Sequence, residues 1–297
     1  MWLTSSSIGR KLIMALTGAF LILFVTFHAL MNGVALFWPS AYNEVCLFLG
    51  ANWYALVGTL ILAAAVVLHI VYAIWLTVQN RAARGSERYD VISRPPQVEW
   101  SSKNMLVLGL VVLAFLVIHF IQFWAKMQLA EVLGCEVVDA ARGGEVVPPA
   151  AGTYFLGMAF SQWWTLPVYI IAFVALWFHL THGFWSMMQT VGWNNDVWMN
   201  RIKCIGNWWI SIVVALFIAE AVVFTVQANR GTYYECPVLL EQYEEMAAEG
   251  KDAYAAPAAC AAAMCEKAQA CQEAAPCAAA EACQEQCTEN VTVITNE

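Results

Sequence analysis

The chain has 297 residues, of which 61% are hydrophobic and only 12% charged. That balance is too apolar for a soluble protein of this length and points to an integral membrane protein. The net charge of -8 collects largely in the C-terminal region and one loop, so no nucleic-acid partner is read from it.

Five stretches lack Asp, Glu, Lys and Arg: Leu12 to Asn43, Val45 to Asn80, Asn104 to Ala125, Val146 to Asn195 and Cys204 to Ala219. Each can hold the roughly 20 residues that cross a bilayer. The expected fold is an all-α integral membrane protein with five transmembrane helices, at about 13–36, 53–78, 104–127, 164–188 and 205–228. The first run follows Arg10 and Lys11 like a signal peptide, but it is longer than a signal's apolar core of about 7–15 residues. It is read as a retained helix, with Gly18 allowing close approach of another group. A short outer loop follows, holding Glu44. The second helix ends in the basic stretch WLTVQNRAARGSERYD. The third ends in FWAKMQ, with aromatic residues at interface height. A second outer loop, about 128–163, carries Gly143, Gly144, Pro148 and Pro149 and reads as irregular. Pro167 sits in the first turn of the fourth helix, where proline is tolerated. Glu220 lies well inside the fifth.

Nine Lys and Arg residues fall on one side (Arg10, Lys11, Arg81, Arg84, Arg88, Arg94, Lys103, Arg201, Lys203) and five on the other. The positive-inside rule then places the N-terminus in the cytoplasm and the C-terminus outside. Two domains are expected: 1–229, the membrane domain, and 230–297, a Cys- and Ala-rich tail on the outer side. The tail has no C-x2-C pair, which disfavours a zinc ribbon or an iron–sulfur cluster. Outside the cytoplasm, disulfides are the better reading. Its last six cysteines lie almost symmetrically about Pro276, suggesting a stapled hairpin, although on an ideal helix Cys265 points away from Cys260 and Cys271. With Cys46 and Cys135 the outer cysteines number nine, so at least one is free or pairs between chains.

All five histidines lie in apolar runs. At about 1.5 Å per residue, His28 and His119 lie about 6 Å outside their helix centres, and His69 and His179 about 6 Å inside. Two pairs at two depths suit bis-histidine ligation of two stacked haems in a four-helix bundle. The competing reading is ordinary packing, since a lone membrane histidine is often just hydrogen-bonded. Four on successive helices, in two level pairs, favour a metal or haem, because ionisable residues at such depth are costly. Zinc suits them less, because separate pairs do not gather four ligands at one point. His182 shares a face with His179 but lies deeper inside, and is assigned to a haem propionate or another polar partner. Gly183, four residues after His179, leaves room on the same face for a flat macrocycle. A carboxylate as buried as Glu220 is a candidate proton relay or the partner of a polar helix neighbour.

At these residues the chain resembles the single-chain, five-helix, di-haem cytochrome b subunit of succinate:quinone oxidoreductases (succinate dehydrogenase and quinol:fumarate reductase). The segments that carry the resemblance are SSSIGRKLIMALTG, FHALMN, LHIVYAIWLTVQNRAARG and LWFHLTHGFWSMMQTVGW. It covers about 1–228 and not the Cys-rich tail. It implies two haems b: a distal one on His28 and His119, and a proximal one on His69 and His179. It also implies a flavoprotein subunit and an iron–sulfur subunit on the cytoplasmic side of a bacterial inner membrane. Their electrons exchange with a membrane quinone such as menaquinone, and dimers of such complexes are a further expectation. Relatives use a glutamate after the first helix in menaquinol oxidation, which makes Glu44 a quinone-site candidate; the alternative is a solvated loop carboxylate. Some relatives carry a glutamate two residues before the fourth-helix ligand; Trp177 stands there in this chain, so that path is not carried over. Two other readings remain: a di-haem cytochrome b serving a hydrogenase or formate dehydrogenase, and a haem-free transporter or scaffold.

Overall fold

The computed structural model describes residues 6–84 and 99–253, with side chains at 6–83 and 99–248. The cysteine hairpin about Pro276 and the basic residues Arg88 and Arg94 lie outside the described residues. The described chain is all-α apart from one small hairpin. Five of its helices are long and apolar enough to cross a membrane, as composition predicts. Five more α-helices and the hairpin build a cap at one end.

Helix α1 spans Ser7–Phe37, starting before the expected boundary. Ser6 caps it, its side chain accepting from the Gly9 amide at 3.0 Å, so the polar opening belongs to the helix start. Pro39 cannot continue α1 and instead opens α2, Pro39–Phe48. Helix α3 is Trp53–Arg84. Helix α4 is Trp100–His119 and passes into a π-helical turn, Phe120–Trp124, directly after the histidine. Helix α7 is Thr165–Thr190, and α8 is Met199–Asn229. Helix α8 begins before the predicted 205: Arg201 and Lys203 form part of its first turns, because long cationic side chains can reach the interface from inside a helix.

The second loop, expected to be irregular, is ordered. It comprises α5 (Gln128–Leu133), the antiparallel strands β1 (Val137–Asp139) and β2 (Glu145–Val147), and α6 (Gly152–Phe160). Gly143 and Gly144 adopt φ of +78° and +84° between the strands, which is why the loop needs them. Helix α6 is apolar all round and buried nearly all round, with Phe155 fully enclosed. Gly152 lets α6 approach α2 closely: a Cβ there would lie 2.3 Å from Cys46 Sγ.

Gly231, at φ +73°, ends α8 and turns the chain into α9, Thr232–Glu235. Helix α10 follows at Pro237–Ala253. Its Leu239, Tyr243 and Met246 recur on one face and are buried with Tyr233 against the cap. The residues from 232 to 246, which composition alone assigns to the tail, therefore pack with the outer loops. Asn43, fully buried, ties the layers: its side chain accepts from the Thr153 amide and hydroxyl and donates to Gln242. Cys135 is disulfide-bonded, while Cys46, Cys204 and Cys236 are free thiols.

In the bundle, α7 packs against α8, α4 and α1, and α1 also packs against α3 and α8. Helices α3 and α4 sit at the edges, one on α1 and the other on α7, and do not pack extensively on each other. The exposed side chains of the five long helices include Leu23, Leu60, Val71, Val107, Ile171 and Ile212. A surface this apolar is one that faces lipid.

Candidate functional site

Along α1 the residues Thr17, His28 and Asn32 fall on one face, because 11 residues are close to three turns and 4 are close to one. Helix α1 packs against α3, α7 and α8. The histidine rings meet in the same two pairs that helix depth places at common levels. Toward the cap, His28 of α1 and His119 of α4 have ring centroids 5.8 Å apart, at 87°. Toward the open end, His69 of α3 and His179 of α7 lie 6.3 Å apart, at 65°.

Edge-to-face packing alone gives such separations, since aromatic pairs span about 4.5–7 Å. A shared metal gives them too. Two ring nitrogens at about 2.0–2.1 Å from one ion, each roughly 1.1 Å from its ring centre, put the centroids about 6 Å apart. The surroundings favour the second account. Thr17 Oγ1 stands 3.1 Å from His69 Nδ1, and the Tyr169 hydroxyl 3.3 Å from His119 Nδ1. Both rings are thus held by Nδ1, leaving Nε2 for a ligand. His179 Nδ1 is buried without a hydrogen-bond partner. Packing histidines are ordinarily satisfied, so this orphan points to an incomplete site.

Glycines flank the open-end pair. A Cβ at Gly18 would meet His69 Cε1 at 3.6 Å, and one at Gly109 would meet His179 Cε1 at 3.6 Å. Ten residues separate Gly18 from His28 on α1, and Gly109 from His119 on α4, so the two levels lie about 15 Å apart. Around Gly183 a Cβ would touch nothing within 4 Å, which leaves open the space expected there. His28 stacks on Phe24, and His119 is bracketed by Phe115 and Phe123. The Asn32 amide donates to His28 Nε2 at 3.1 Å and accepts from Tyr42 at 3.0 Å. Any group bound at His28 Nε2 would have to displace the Asn32 amide. The residues present fit two flat groups, each held between two imidazoles. Among the described residues no three His, Cys, Asp or Glu side chains cluster as a metal site.

His182 stands apart from the rings. Its Nδ1 is 3.9 Å from Glu99, which also accepts from Trp185 Nε1 and Lys203 Nζ. It is therefore near a carboxylate at the open end, of the chemical type expected for it, although here a protein side chain provides that group. Glu220 is 3% exposed, and its Oε1 has no hydrogen-bond partner. It faces Gly33 on α1. Burial above all, then the neighbouring Cys46 and more weakly Glu220, holds the Tyr42 hydroxyl above the ordinary tyrosine range. Glu44 lies elsewhere: it is exposed on α2 and accepts from Gln242 Nε2 at 2.8 Å. Sequence reasoning did not single out Thr17, Tyr169, Asn32 or Gln122. The signal for Thr17 and Asn32 was their register with His28, three turns before it and one turn after.

Comparison with known proteins finds no matching family model, curated relative or solved structure.

Proposed function

We propose that the chain is the di-haem, quinone-reactive membrane anchor of a succinate:quinone oxidoreductase. It carries electrons between a membrane quinone such as menaquinone and an iron–sulfur subunit, itself joined to a flavoprotein. The observation that carries this reading is the pairing of four imidazoles on four helices, at 5.8 and 6.3 Å, with glycines and oriented Nδ1 atoms around them. The N-terminus is on the cytoplasmic side in this reading, so the cap faces outward and the partner subunits dock at the open end. His28 and His119 hold the haem b nearer the cap; His69 and His179 hold the other. Bound haem b supplies one-electron chemistry at a potential set by its ligands and their surroundings.

The chain's own residues do the rest. Phe24, Phe115 and Phe123 shield the cap-side rings from water. His182 and Lys203 offer hydrogen-bond donors at the open end for acidic groups. Glu220 is the buried group that can hold a proton beside the Tyr42–Asn32–His28 chain, and Glu44 is the carboxylate at the outer surface. Both are assigned to quinone-linked proton exchange.

A pyridine haemochrome measurement on the purified full chain tests the reading. Two haems b per chain are expected, and none sinks it. His28→Ala or His119→Ala removes one and leaves the other; loss of both together argues against separate pairs. Co-purification of a flavoprotein and an iron–sulfur protein distinguishes this anchor from one serving a hydrogenase or formate dehydrogenase.

A further inference from the structure

We propose that Thr17 and Tyr169 fix the tautomers of His69 and His119, putting the proton on Nδ1 and the free lone pair on Nε2. The consequence for haem binding rests on the reading above; the tautomer assignment itself does not.

The argument is a count of hydrogens. A threonine hydroxyl has one. Thr17 Oγ1 gives its hydrogen to the Ile13 carbonyl at 2.8 Å, sharing it with Met14 O at 3.2 Å. The lone pair facing His69 Nδ1 at 3.1 Å can then only accept, so Nδ1 is the protonated nitrogen. The same count applies at the other level. Thr165 donates to the Ala159 carbonyl at 2.6 Å, so its oxygen accepts from Gln122 Nε2 at 3.4 Å. That contact turns Gln122 Oε1 toward Tyr169, whose hydroxyl donates to it at 2.8 Å. Tyr169 therefore accepts from His119 Nδ1 at 3.3 Å. Gln122 belongs to the π-helical turn that begins directly after His119. Such turns recur at functional sites because they redirect side chains locally.

Each anchor comes from another helix: Thr17 on α1 orients His69 on α3, and Tyr169 on α7 orients His119 on α4. Neither His28 nor His179 has an anchor at Nδ1: the Asn32 amide donates to His28 Nε2, which also leaves the His28 proton on Nδ1, and His179 Nδ1 has no partner. Each pair thus joins one ring anchored through Nδ1 to one with no partner at Nδ1. Both anchors are neutral hydroxyls. They orient the imidazole without the gain in basicity that a carboxylate partner gives. Thr17 and Tyr169 are positioning residues and do not touch the metal.

The test uses the full chain in detergent with 15N-labelled histidine. Before haem is added, His69 and His119 are expected to show the Nδ1–H tautomer. Tyr169→Phe should mix the tautomers of His119 alone, and Thr17→Val those of His69 alone, while Thr17→Ser restores the wild-type signal. Haem titration should then show roughly 10-fold weaker binding at the affected level only. Unchanged tautomers in Tyr169→Phe and Thr17→Val, or a shift at both levels from either variant, overturns the proposal. Wild-type chain with both tautomers as expected but no haem binding overturns the haem reading alone. Tyr169→Phe and Thr17→Val each remove one hydroxyl with little change of shape. Should either fail to fold, the wild-type tautomers alone decide: an Nε2–H form at either ring refutes the assignment.

Discussion

Gly206 of α8 lies against Phe184 of α7, and Gly206→Ala turns that contact into a clash. The added Cβ would sit 2.2 Å from Phe184 Cδ1 and 2.3 Å from Cε1. Carbon atoms rest about 3.5 Å apart at closest, so one side must move by about 1.3 Å. Phe184 is buried, so it cannot swing into open space. Overpacking of this kind costs about 1–3 kcal/mol. Against it stands the better helix propensity of alanine, worth roughly 1 kcal/mol. The expected net loss is about 0–2 kcal/mol, and the local effect is sharper than the global one. Phe184 is five residues past His179 on α7, so moving α7 disturbs the His69–His179 pair and leaves the His28–His119 pair intact. Small residues at membrane-helix crossings exist for such approach. Gly58→Ala is the control: nothing lies within 4 Å of that Cβ, so it should gain stability slightly. The assay is thermal unfolding of the purified chain in detergent, with haem content per chain measured beside it. If Gly206→Ala is more stable than wild type and binds both haems equally well, the close α7–α8 contact is wrong.

Three more perturbations test the cap. Asn43→Ala leaves the buried Thr153 amide without its side-chain acceptor, while the Thr153 hydroxyl keeps Tyr243, and should destabilise the cap by about 1–3 kcal/mol, seen as faster proteolysis after residue 229. Glu44→Gln retains an acceptor for Gln242, so the melting temperature and haem content should hold while quinol turnover stops; unchanged turnover removes Glu44 from the quinone site. Burial pushes the Cys46 thiol from 9.0 up to about 12, so the folded state keeps a proton that the unfolded chain loses above pH 9. This stability is therefore full below pH 9 and is lost toward pH 12, by about 1.4 kcal/mol per pH unit. Burial raises Tyr42, Tyr154, Tyr233 and Tyr243 in the same direction. Near-ultraviolet circular dichroism should show the cap opening above about pH 10, and a cap stable to pH 12 contradicts the burial of these groups.

The long helices were legible because bilayer thickness imposes a length on any apolar run, and each of the five runs meets it. Their ends were less legible. Ser6 caps α1, and cationic side chains enter α8, so polar residues that looked like loop are helix. The level of each histidine followed from helical rise alone, and the rings meet in the pairs so derived. The cap was missed. Its glycines and prolines read as irregular backbone, yet Gly143 and Gly144 make one tight turn and Gly152 lets α6 touch α2. The residues around the rings were missed for a related reason: Thr17, Tyr169 and Gln122 are unremarkable letters until packing brings Thr17 to His69 and the Gln122–Tyr169 pair to His119. Sequence put Glu44 in an outer loop and Glu220 inside the fifth helix; the structure adds that Glu44 is bonded to Gln242 while Glu220 is enclosed with an oxygen unpaired.

Sequence by itself determined what depends on distance along one helix: five crossings, and the depth of each histidine. Those follow from a fixed rise per residue and from the cost of polar groups in hydrocarbon. Only the tertiary structure decided which side chains face one another across helices. Packing sets the rotation of each helix about its axis. That rotation brings Thr17 to His69 and Tyr169 to His119, and it leaves the Nδ1 of His179 without a partner.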